Sequence, residues 1–362
     1  MHSHHSHSGQ YCKHANSSLD EVVALAKELG FSHFHLSEHC PREREEDLYP
    51  EEIDVGLTPR GLVDTFCQYL EHARQVQERE RCTGGLKMLV GCETENIQTP
   101  NSVDYLRKVL GNIAGETDDV PPPYVGAGAI DYMVGSVHHV HSVPIDFDKP
   151  TFEKALAASG GHNPYHALAD AYLDLQYEVM QRLRPEVIGH ADLYRLFSPA
   201  QAWHSNDLYY KLDRNIRYAV SYGALFEANS AAFRKGWKDE TYPGREVLSR
   251  ICAAGGRIAL SDDSHGTAQL ALNYVRLREY LLENDVVEIW YLESDGTKWP
   301  VDSDGKAAQF AVAEDQRKAR LALAVPGSDP NCPTCFPRGA RAVPMRNWSD
   351  SPFWRTVADR CT

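Results

Sequence analysis

The sequence predicts an α/β fold in which parallel strands alternate with helices, most simply an α/β barrel. Short β-prone apolar runs recur along the chain and end abruptly in His, Asp, Glu or Asn. Segments with helical periodicity lie between these runs, and parallel strands need such crossovers. The chain has 362 residues, a length that an α/β barrel reaches as a single domain. We therefore expect one large domain with an appendage.

Six runs carry the strand pattern, and a polar N-terminal run is a plausible seventh. The runs cover 31–39, 86–95, 132–139, 186–192, 224–229 and 257–265, and the N-terminal run covers 2–8. In a closed parallel barrel every strand points its C-terminal end at the same face. The polar residues that end these strands should therefore converge on one site.

The predicted helices separate these strands. Ser18 and Glu21 form a capping box before an apolar-periodic stretch, and Gly30 stands where a helix would end. Further helices are predicted over 60–80, 164–183, 206–222, 243–254 and 267–282. We expect a barrel domain over 1–282. The extension over 283–362 should hold a hairpin near its start, then a charged helix and an irregular tail.

Composition limits the partners of this protein. Acidic residues outnumber basic ones by 51 to 37, whereas nucleic-acid binders present clustered Lys and Arg. No apolar run reaches the length of about 18 residues that a membrane span needs, and the N-terminus lacks the apolar core of a secretory signal. Nine scattered cysteines favour reduced thiols in the cytoplasm. We expect a small-molecule substrate, no nucleic acid and no membrane.

The polar strand ends have the residue types that bind metal ions. His5 and His7 are two residues apart in an extended run, so both can face one ion; an expression tag is the other interpretation, although tags usually carry consecutive histidines. Later strand ends supply His39, Glu93, His138, His190, Asp263 and His265. Several strand ends with this pattern favour a bound cation, and mixed imidazole and carboxylate ligation suits Zn, Mn or Fe.

Taken in order, these motifs resemble those of the PHP (polymerase and histidinol phosphatase) superfamily. They are an opening HxH, SEH at 37–39, GxE at 91–93, SVH at 136–138, GH at 189–190 and DSH at 263–265. The phrases EHCPR at 38–42 and DYMVGSVHHVHSVPIDFD at 131–148 resemble the longer, fungal-type histidinol-phosphate phosphatases. The resemblance covers roughly residues 1–282.

The resemblance implies a distorted seven-stranded (β/α) barrel that holds three divalent metal ions. The implied ligands of the first ion are His5, His7, Glu93 and Asp263. Those of the second ion are Glu93, as a bridge, with His138 and His190. Those of the third ion are His14, His39 and His265, and the spacing to His14 is one residue longer than in the shorter bacterial pattern. Glu93, Asp263 and His265 are the expected catalytic residues.

The implied activity is hydrolysis of L-histidinol phosphate to L-histidinol and phosphate in histidine biosynthesis. A phosphomonoester dianion resists attack by an anion, so catalysis needs cations that neutralise its oxygens and convert bound water to hydroxide. Arg42, Arg234 and, less clearly, Arg195 could clamp the phosphate, with a surface ion pair as the other interpretation. Glu43 or Glu227 could form an acidic rim for the substrate's ammonium group.

Three other functions fit the sequence less well. A PHP phosphoesterase acting on nucleotides or nucleic-acid ends would keep the same cluster, but the acidic total charge counts against it. A binding module that has lost catalysis should lack ligands, and here all nine positions are filled. A metal-dependent amidohydrolase would typically rely on a carboxylated lysine or lack the early SEH motif, and no lysine here ends a strand. The Cys332 and Cys335 pair is an incidental CxxC or a zinc or redox motif. Metal identity, the general acid and the oligomeric state stay open.

Overall fold

Helices and strands alternate along the chain, as predicted. The computed structural model describes residues 1–98, 101–115, 120–200, 205–296 and 334–361. The strands are β1 (His2–Ser3), β2 (His33–Phe34), β3 (Leu36–His39), β4 (Val90–Glu93), β5 (Tyr132–Gly135), β6 (His139–Val140), β7 (Val143–Pro144), β8 (Val187–Ile188), β9 (Leu225–Asn229), β10 (Arg257–Ser261), β11 (Ile289–Ser294), β12 (Thr334–Cys335) and β13 (Ala340–Met345). The helices are α1 (Leu19–Glu28), α2 (Pro50–Asp54), α3 (Pro59–Thr83), α4 (Ser102–Ala114), α5 (Lys149–Ser159), α6 (Pro164–Leu183), α7 (Asn206–Ser221), α8 (Ala231–Arg234), α9 (Arg245–Ala253), α10 (Tyr274–Glu283) and α11 (Phe353–Thr356).

A parallel sheet forms the centre of the molecule and confirms the predicted strand pairing. Its six strands run in the order β3-β4-β5-β8-β9-β10, and every neighbouring pair is parallel. Each predicted run contains a strand, and the polar residues follow at its C-terminal end. The fold is therefore mixed α/β, and one edge of the sheet carries the polar residues.

The closed seven-stranded barrel is not confirmed. Among the described residues β1 pairs with β2 alone, in a separate two-stranded ladder, and the six-stranded sheet is open. The N-terminal segment still contacts both outer strands of the sheet, β3 and β10, or the turn that follows them. Ser6 forms a parallel bridge with Ser264, just after β10. The Ser6 N–H donates to the hydroxyl of Ser37, in β3, at 3.1 Å. The Ser6 hydroxyl in turn donates to the His35 carbonyl at 3.0 Å. Serine hydroxyls thus form hydrogen bonds with backbone groups that would pair with each other in a continuous strand ladder.

The helix predictions are mostly confirmed, and the exceptions have local causes. α1 begins with the predicted capping box of Ser18 and Glu21. The predicted helix over 267–282 begins only at Tyr274, because Ala271 and Asn273 have left-handed φ values of 57° and 63°. Asp262 fixes that turn by accepting the N–H of Ala271 at 2.5 Å. Helices α2, α4, α5 and α8 were not predicted. In the described residues no helix has the length and apolarity of a membrane span.

The C-terminal extension pairs differently from the predicted hairpin. β11 lies antiparallel to β13, with Ile289 opposite Met345 and Ser294 opposite Ala340, and β12 pairs with the other edge of β13. The predicted irregular tail therefore contains a strand and the short helix α11. Trp299, the charged stretch beyond 303 and Cys332 lie outside the described residues, so the CxxC motif stays untested.

This three-stranded sheet covers the end of the parallel sheet that lies opposite the polar edge. Its apolar side chains share one buried cluster with residues at or near the strand starts. The cluster consists of Leu89, Tyr132, Val134, Val187, Leu225 and Ala259 from the parallel sheet and Trp290, Leu292, Phe336, Ala340 and Ala342 from the extension. Fully buried Arg338 joins the two parts through Glu186, with 2.8 Å between Nη1 and Oε1. The extension thus covers the end of the parallel sheet opposite the polar edge.

Two histidines fasten β11 to the parallel sheet. His35 Nε2 donates to the Leu292 carbonyl at 2.9 Å, and its Nδ1 accepts the N–H of Leu89 at 3.0 Å. His4 Nε2 accepts the N–H of Leu292 at 2.9 Å. Because one ring nitrogen of His35 donates and the other accepts, its imidazole is neutral. Burial lowers the pKa of His35 to about 4.

We predict that His35 makes the folded state less stable in acid. The unfolded chain takes up a proton near the ordinary histidine pKa of about 6.5, whereas the folded chain does so only near 4. The free energy of unfolding should therefore fall as the pH drops through this window, by up to about 3 kcal/mol from His35. His35→Gln keeps a donor and an acceptor but cannot titrate, so it should reduce this pH dependence.

Urea unfolding of the metal-free protein at pH 7 and pH 4.5 measures the effect. His162→Gln, a change at an exposed histidine, is the control and should behave as the wild type. An unchanged pH dependence in His35→Gln would contradict the assignment.

Candidate metal centre

Glu93, the last residue of β4, is the centre of the polar edge. Its side chain is buried among histidines that come from several strand ends. The Oε1 atom lies 3.1 Å from the Nε2 atoms of His5, His138 and His190. The Oε2 atom lies 2.9 Å from His39 Nδ1 and 3.4 Å from His7 Nε2. One carboxylate thus faces two sets of imidazoles, the arrangement that a bridging ligand needs.

Asp263 reaches the same place from the end of β10. Its Oδ1 atom lies 3.4 Å from the Nε2 atoms of both His5 and His7. A left-handed φ of 47° at Asp263 turns the chain directly after the strand, and Asp is among the non-glycine residues that tolerate this region. The structure therefore brings together the four side chains that the family resemblance implied for a first ion.

Three groups of side chains have potential ligand atoms close enough together to hold a metal ion. In each group they lie within 4.8 Å of one another. The groups are His5, His7 and Glu93; Glu93, His138 and His190; and His7, Cys12, His39 and His265. The third group contains Cys12, which the sequence analysis did not consider. His14 lies beside this group, with its ring centroid 4.9 Å from that of His265.

Unsatisfied atoms at this edge fit a metal centre. His5 Nε2, His7 Nε2, His39 Nε2 and Glu93 Oε2 are buried, and none has a hydrogen bond of good geometry within the described ranges. Buried polar atoms nearly always have hydrogen-bond partners. Several buried polar atoms without partners that face one another are expected where bound metal ions would be their partners.

The electrostatics of the site also favour cations. Burial alone would raise the pKa of Glu93, but His5 and His138 hold that pKa well below its ordinary value. Burial likewise opposes ionisation of Asp263, whose pKa His5 and His265 hold well below the usual range. Ionised carboxylates are therefore buried here, and buried charge needs a compensating partner. Divalent cations supply such compensation.

Carboxylates behind the histidines fix their orientation. Each of three histidines has its Nδ1 atom against a buried glutamate, while its Nε2 atom faces Glu93. The pairs are His5 with Glu227 at 2.9 Å, His138 with Glu95 at 3.1 Å, and His7 with Glu38 at 3.4 Å. A carboxylate at Nδ1 holds the proton there and leaves Nε2 as the ligand atom, as is usual for metal-binding histidines.

The acidic rim that we suggested at Glu227 is wrong. Glu227 is fully buried in the middle of β9, and its Oε1 atom accepts the N–H of His190 at 2.8 Å and an amide hydrogen of Asn229 at 2.7 Å. Glu43, the other suggestion, is exposed. Sequence alone missed the supporting role of Glu227, Glu95 and Glu38. The signal for the last two was their position beside motif residues, in GCETE and SEH.

The three candidate arginines differ in their partners. Arg42 is buried, its Nη2 donates to both carboxylate oxygens of Glu52, and its guanidinium lies 4.0 Å from the Tyr49 ring centroid. Arg234 donates to two backbone carbonyls of the 262–263 turn, at 3.2 and 3.1 Å. In the described residues Arg234 forms no ion pair with a carboxylate.

Arg195 resembles Arg42 rather than Arg234. Its guanidinium lies between Asp192, at 2.9 Å, and Glu240, at 2.6 Å. Its charge is therefore already matched by carboxylates, as that of Arg42 is.

The chain is similar to known proteins over most of its length. The PHP domain family matches residues 3–231. A Schizosaccharomyces pombe protein named "Probable histidinol-phosphatase" is 42% identical over 293 residues, 80% of this chain and 88% of the relative. The Saccharomyces cerevisiae protein named histidinol-phosphatase is 30% identical over 322 residues, 81% of this chain and 90% of the relative.

A solved structure shares the fold. It is the crystal structure of a Lactococcus lactis histidinol phosphate phosphatase complexed with zinc, L-histidinol and phosphate. It superposes with a TM-score of 0.52 at 16% identity, over 78% of this chain and 93% of that chain. At this identity the likeness shows the fold alone.

We predict that Glu227 supports metal binding through His5. Glu227→Gln keeps the size of the side chain but removes the charge that holds the proton on His5 Nδ1. The zinc dissociation constant should rise about 10-fold to 100-fold, the usual effect of losing such a partner. Competition titration with a zinc chelator measures the change.

Glu43→Gln is the matched control, since it makes the same substitution at an exposed carboxylate and should leave zinc affinity unchanged. Equal zinc affinity in Glu227→Gln and the wild type would refute a supporting role.

Proposed function

The chain belongs to the PHP domain family, and we propose that it is a histidinol-phosphatase, which hydrolyses L-histidinol phosphate to L-histidinol and inorganic phosphate. The observation that carries the chemistry is the buried group of imidazoles and carboxylates around Glu93. The substrate is supported by two relatives that bear this name and match most of their own length.

The polar edge fits several divalent ions, and we propose three. His5, His7, Glu93 and Asp263 would hold the first, and Glu93, His138 and His190 the second. His14, His39 and His265 would hold the third. When bound, such ions supply positive charge for phosphate oxygens and acidify water.

The protein's own groups prepare the site for this chemistry. Glu93 and Asp263 stay ionised because protonatable imidazoles surround them. The Nδ1 atom of His265 lies 3.0 Å from the backbone carbonyl of Asp263, so the proton belongs on Nδ1 and the Nε2 atom is left for a ligand or for substrate. These contacts support the proposed catalytic role of Glu93, Asp263 and His265.

Of the three candidate arginines, Arg234 is the best placed to bind phosphate. It lies directly behind Asp263, where it donates to two backbone carbonyls, and in the described residues it forms no ion pair with a carboxylate. Arg42 and Arg195 would each have to share a guanidinium that already binds carboxylates. We therefore propose Arg234 as the main phosphate clamp, with Arg42 and Arg195 as secondary candidates.

The finer features of the fold and setting also belong to the proposal. The contacts of Ser6 with both sheet edges support a distorted seven-stranded barrel. We place the barrel domain at 1–282 and the extension at 283–362. We also propose a cytoplasmic enzyme that acts on a small phosphomonoester and not on nucleic acid, in accord with the net charge of −14.

We predict selective phosphate release from L-histidinol phosphate. The test measures phosphate release beside a panel of nucleotides and sugar phosphates, with metal content quantified on the same sample. Asp263→Ala should lower kcat/KM by at least about 1000-fold, because several kcal/mol of charge stabilisation depend on the metal centre. Asp64→Ala, at an exposed position of α3, is the control and should keep full activity.

Other outcomes have distinct meanings. Turnover of nucleotides with bound metal would keep the metal centre and overturn the substrate. Absence of bound metal would overturn the whole proposal.

We predict that Arg234→Gln weakens substrate binding. Loss of a charged hydrogen bond to phosphate amounts to about 1.5–3 kcal/mol, so kcat/KM should fall by about 10-fold to 150-fold. Zinc content should be unchanged, because the hydrogen bonds of Arg234 in the described residues go to backbone carbonyls of the 262–263 turn and not to a proposed ligand atom. Arg355→Gln, at an exposed arginine, is the control. Wild-type kinetics in Arg234→Gln would remove this residue from the site.

A further inference from the structure

Cys12 lies in a turn that the rest of the protein holds against the metal centre. The thiol is buried, and the Cys12 N–H donates to the Ser8 carbonyl at 2.8 Å. The loop is fixed at its far end, where the Asn16 N–H donates to the carbonyl of His265 at 2.9 Å. The position of the sulfur is therefore set by contacts on both sides of the loop, not by the loop alone.

The sulfur belongs to a group of potential ligand atoms. One ligand atom from each of His7, Cys12, His39 and His265 lies within 4.8 Å of the others. Ligand atoms around one tetrahedral zinc ion are about 3.3–3.6 Å apart, given its bond lengths of about 2.0–2.3 Å. The distances between these atoms would thus need to shorten by about 1.5 Å at most. His7 also faces Glu93 and Asp263, which leaves Cys12, His39 and His265 for a separate ion.

Two further observations point to a ligand at this place. His39 Nε2 is buried and has no hydrogen-bond partner in the described part of the chain. The Cys12 sulfur lies 3.2 Å from His14 Nε2, which is close to the separation of a sulfur and a nitrogen on one zinc ion, about 3.6 Å. The same contact would serve as a thiol hydrogen bond, so a direct test of metal–sulfur bonding is needed.

We propose that Cys12 is a ligand of the third metal ion, together with His39 and His265. The His14 ring lies beside this group. The inference rests on the proposed metal centre and deepens it, because only histidines had been assigned to this ion. Binding forms a metal–sulfur bond and releases the thiol proton to solvent. A thiolate is a soft donor, so this position should select zinc over manganese, whereas the other two positions have only imidazole and carboxylate ligands.

Cobalt substitution tests the proposal without relying on turnover. The metal-free full-length chain is titrated with Co²⁺, and the near-ultraviolet thiolate-to-cobalt charge-transfer absorption is recorded. We expect the band in the wild type and its loss in Cys12→Ser, with the visible bands of cobalt bound elsewhere retained. Cys40→Ser is the matched control, since Cys40 is equally buried and follows His39 but is absent from the group of ligand atoms.

A band that persists in Cys12→Ser, or its absence from the cobalt-loaded wild type, overturns the proposal. So does a wild-type chain that binds no cobalt. X-ray absorption at the zinc edge of the wild type is the second measurement and needs no variant. A sulfur neighbour at about 2.3 Å is expected, and a shell of nitrogen and oxygen alone contradicts it.

Phosphate release measured on the same samples separates this inference from the proposed function. A sulfur–metal band without turnover of L-histidinol phosphate keeps Cys12 as a ligand and rejects the substrate. Turnover without the band keeps the enzyme and rejects Cys12.

Discussion

The structure depends on keeping ionised carboxylates buried at one edge of its parallel sheet. Glu93 and Asp263 are both buried, and imidazoles hold their pKa values low. Isolated charges in the interior are strongly unfavourable, so the fold must surround them with partners. Those partners come from strand ends far apart in sequence, such as His5 and His190. The parallel sheet provides such a meeting place, because all of its strands end at the same edge.

A second layer of carboxylates makes the first one usable. Glu227, Glu95 and Glu38 hold histidines by Nδ1, so that the opposite ring nitrogen faces the centre. Glu227 also accepts the backbone N–H of His190, and therefore links the orientation of one ligand to the backbone of another. Carboxylates thus have two roles that depend on their distance from the centre. Those at the centre face several imidazoles, and those behind the histidines lie against the Nδ1 atoms.

The N-terminal histidines divide between the two ends of the sheet. His5 points to Glu93 at the polar edge. His2 and His4 are also buried, but their Nε2 atoms accept backbone N–H groups of Leu260 and Leu292. His4 therefore helps to fasten the C-terminal sheet, which covers the strand starts. His5 is thus a candidate metal ligand, whereas His4, one residue earlier, is a neutral hydrogen-bond acceptor. The two differ because successive side chains of an extended chain point in opposite directions.

The sequence by itself determined the features that depend on local pattern. The capping box of Ser18, the alternation of strands with helices, and the strand-end positions of His39, Glu93 and Asp263 were all legible from spacing and residue type. Tertiary structure alone decided the features that depend on which distant residues meet. These include the pairing of β11 with β13, the discontinuous ladder at Ser6, the burial of Glu227, the carboxylate partner of Arg42 and the approach of Cys12 to His39. Periodicity and capping are properties of neighbouring residues, whereas a contact across the sheet is set by the path of the whole backbone.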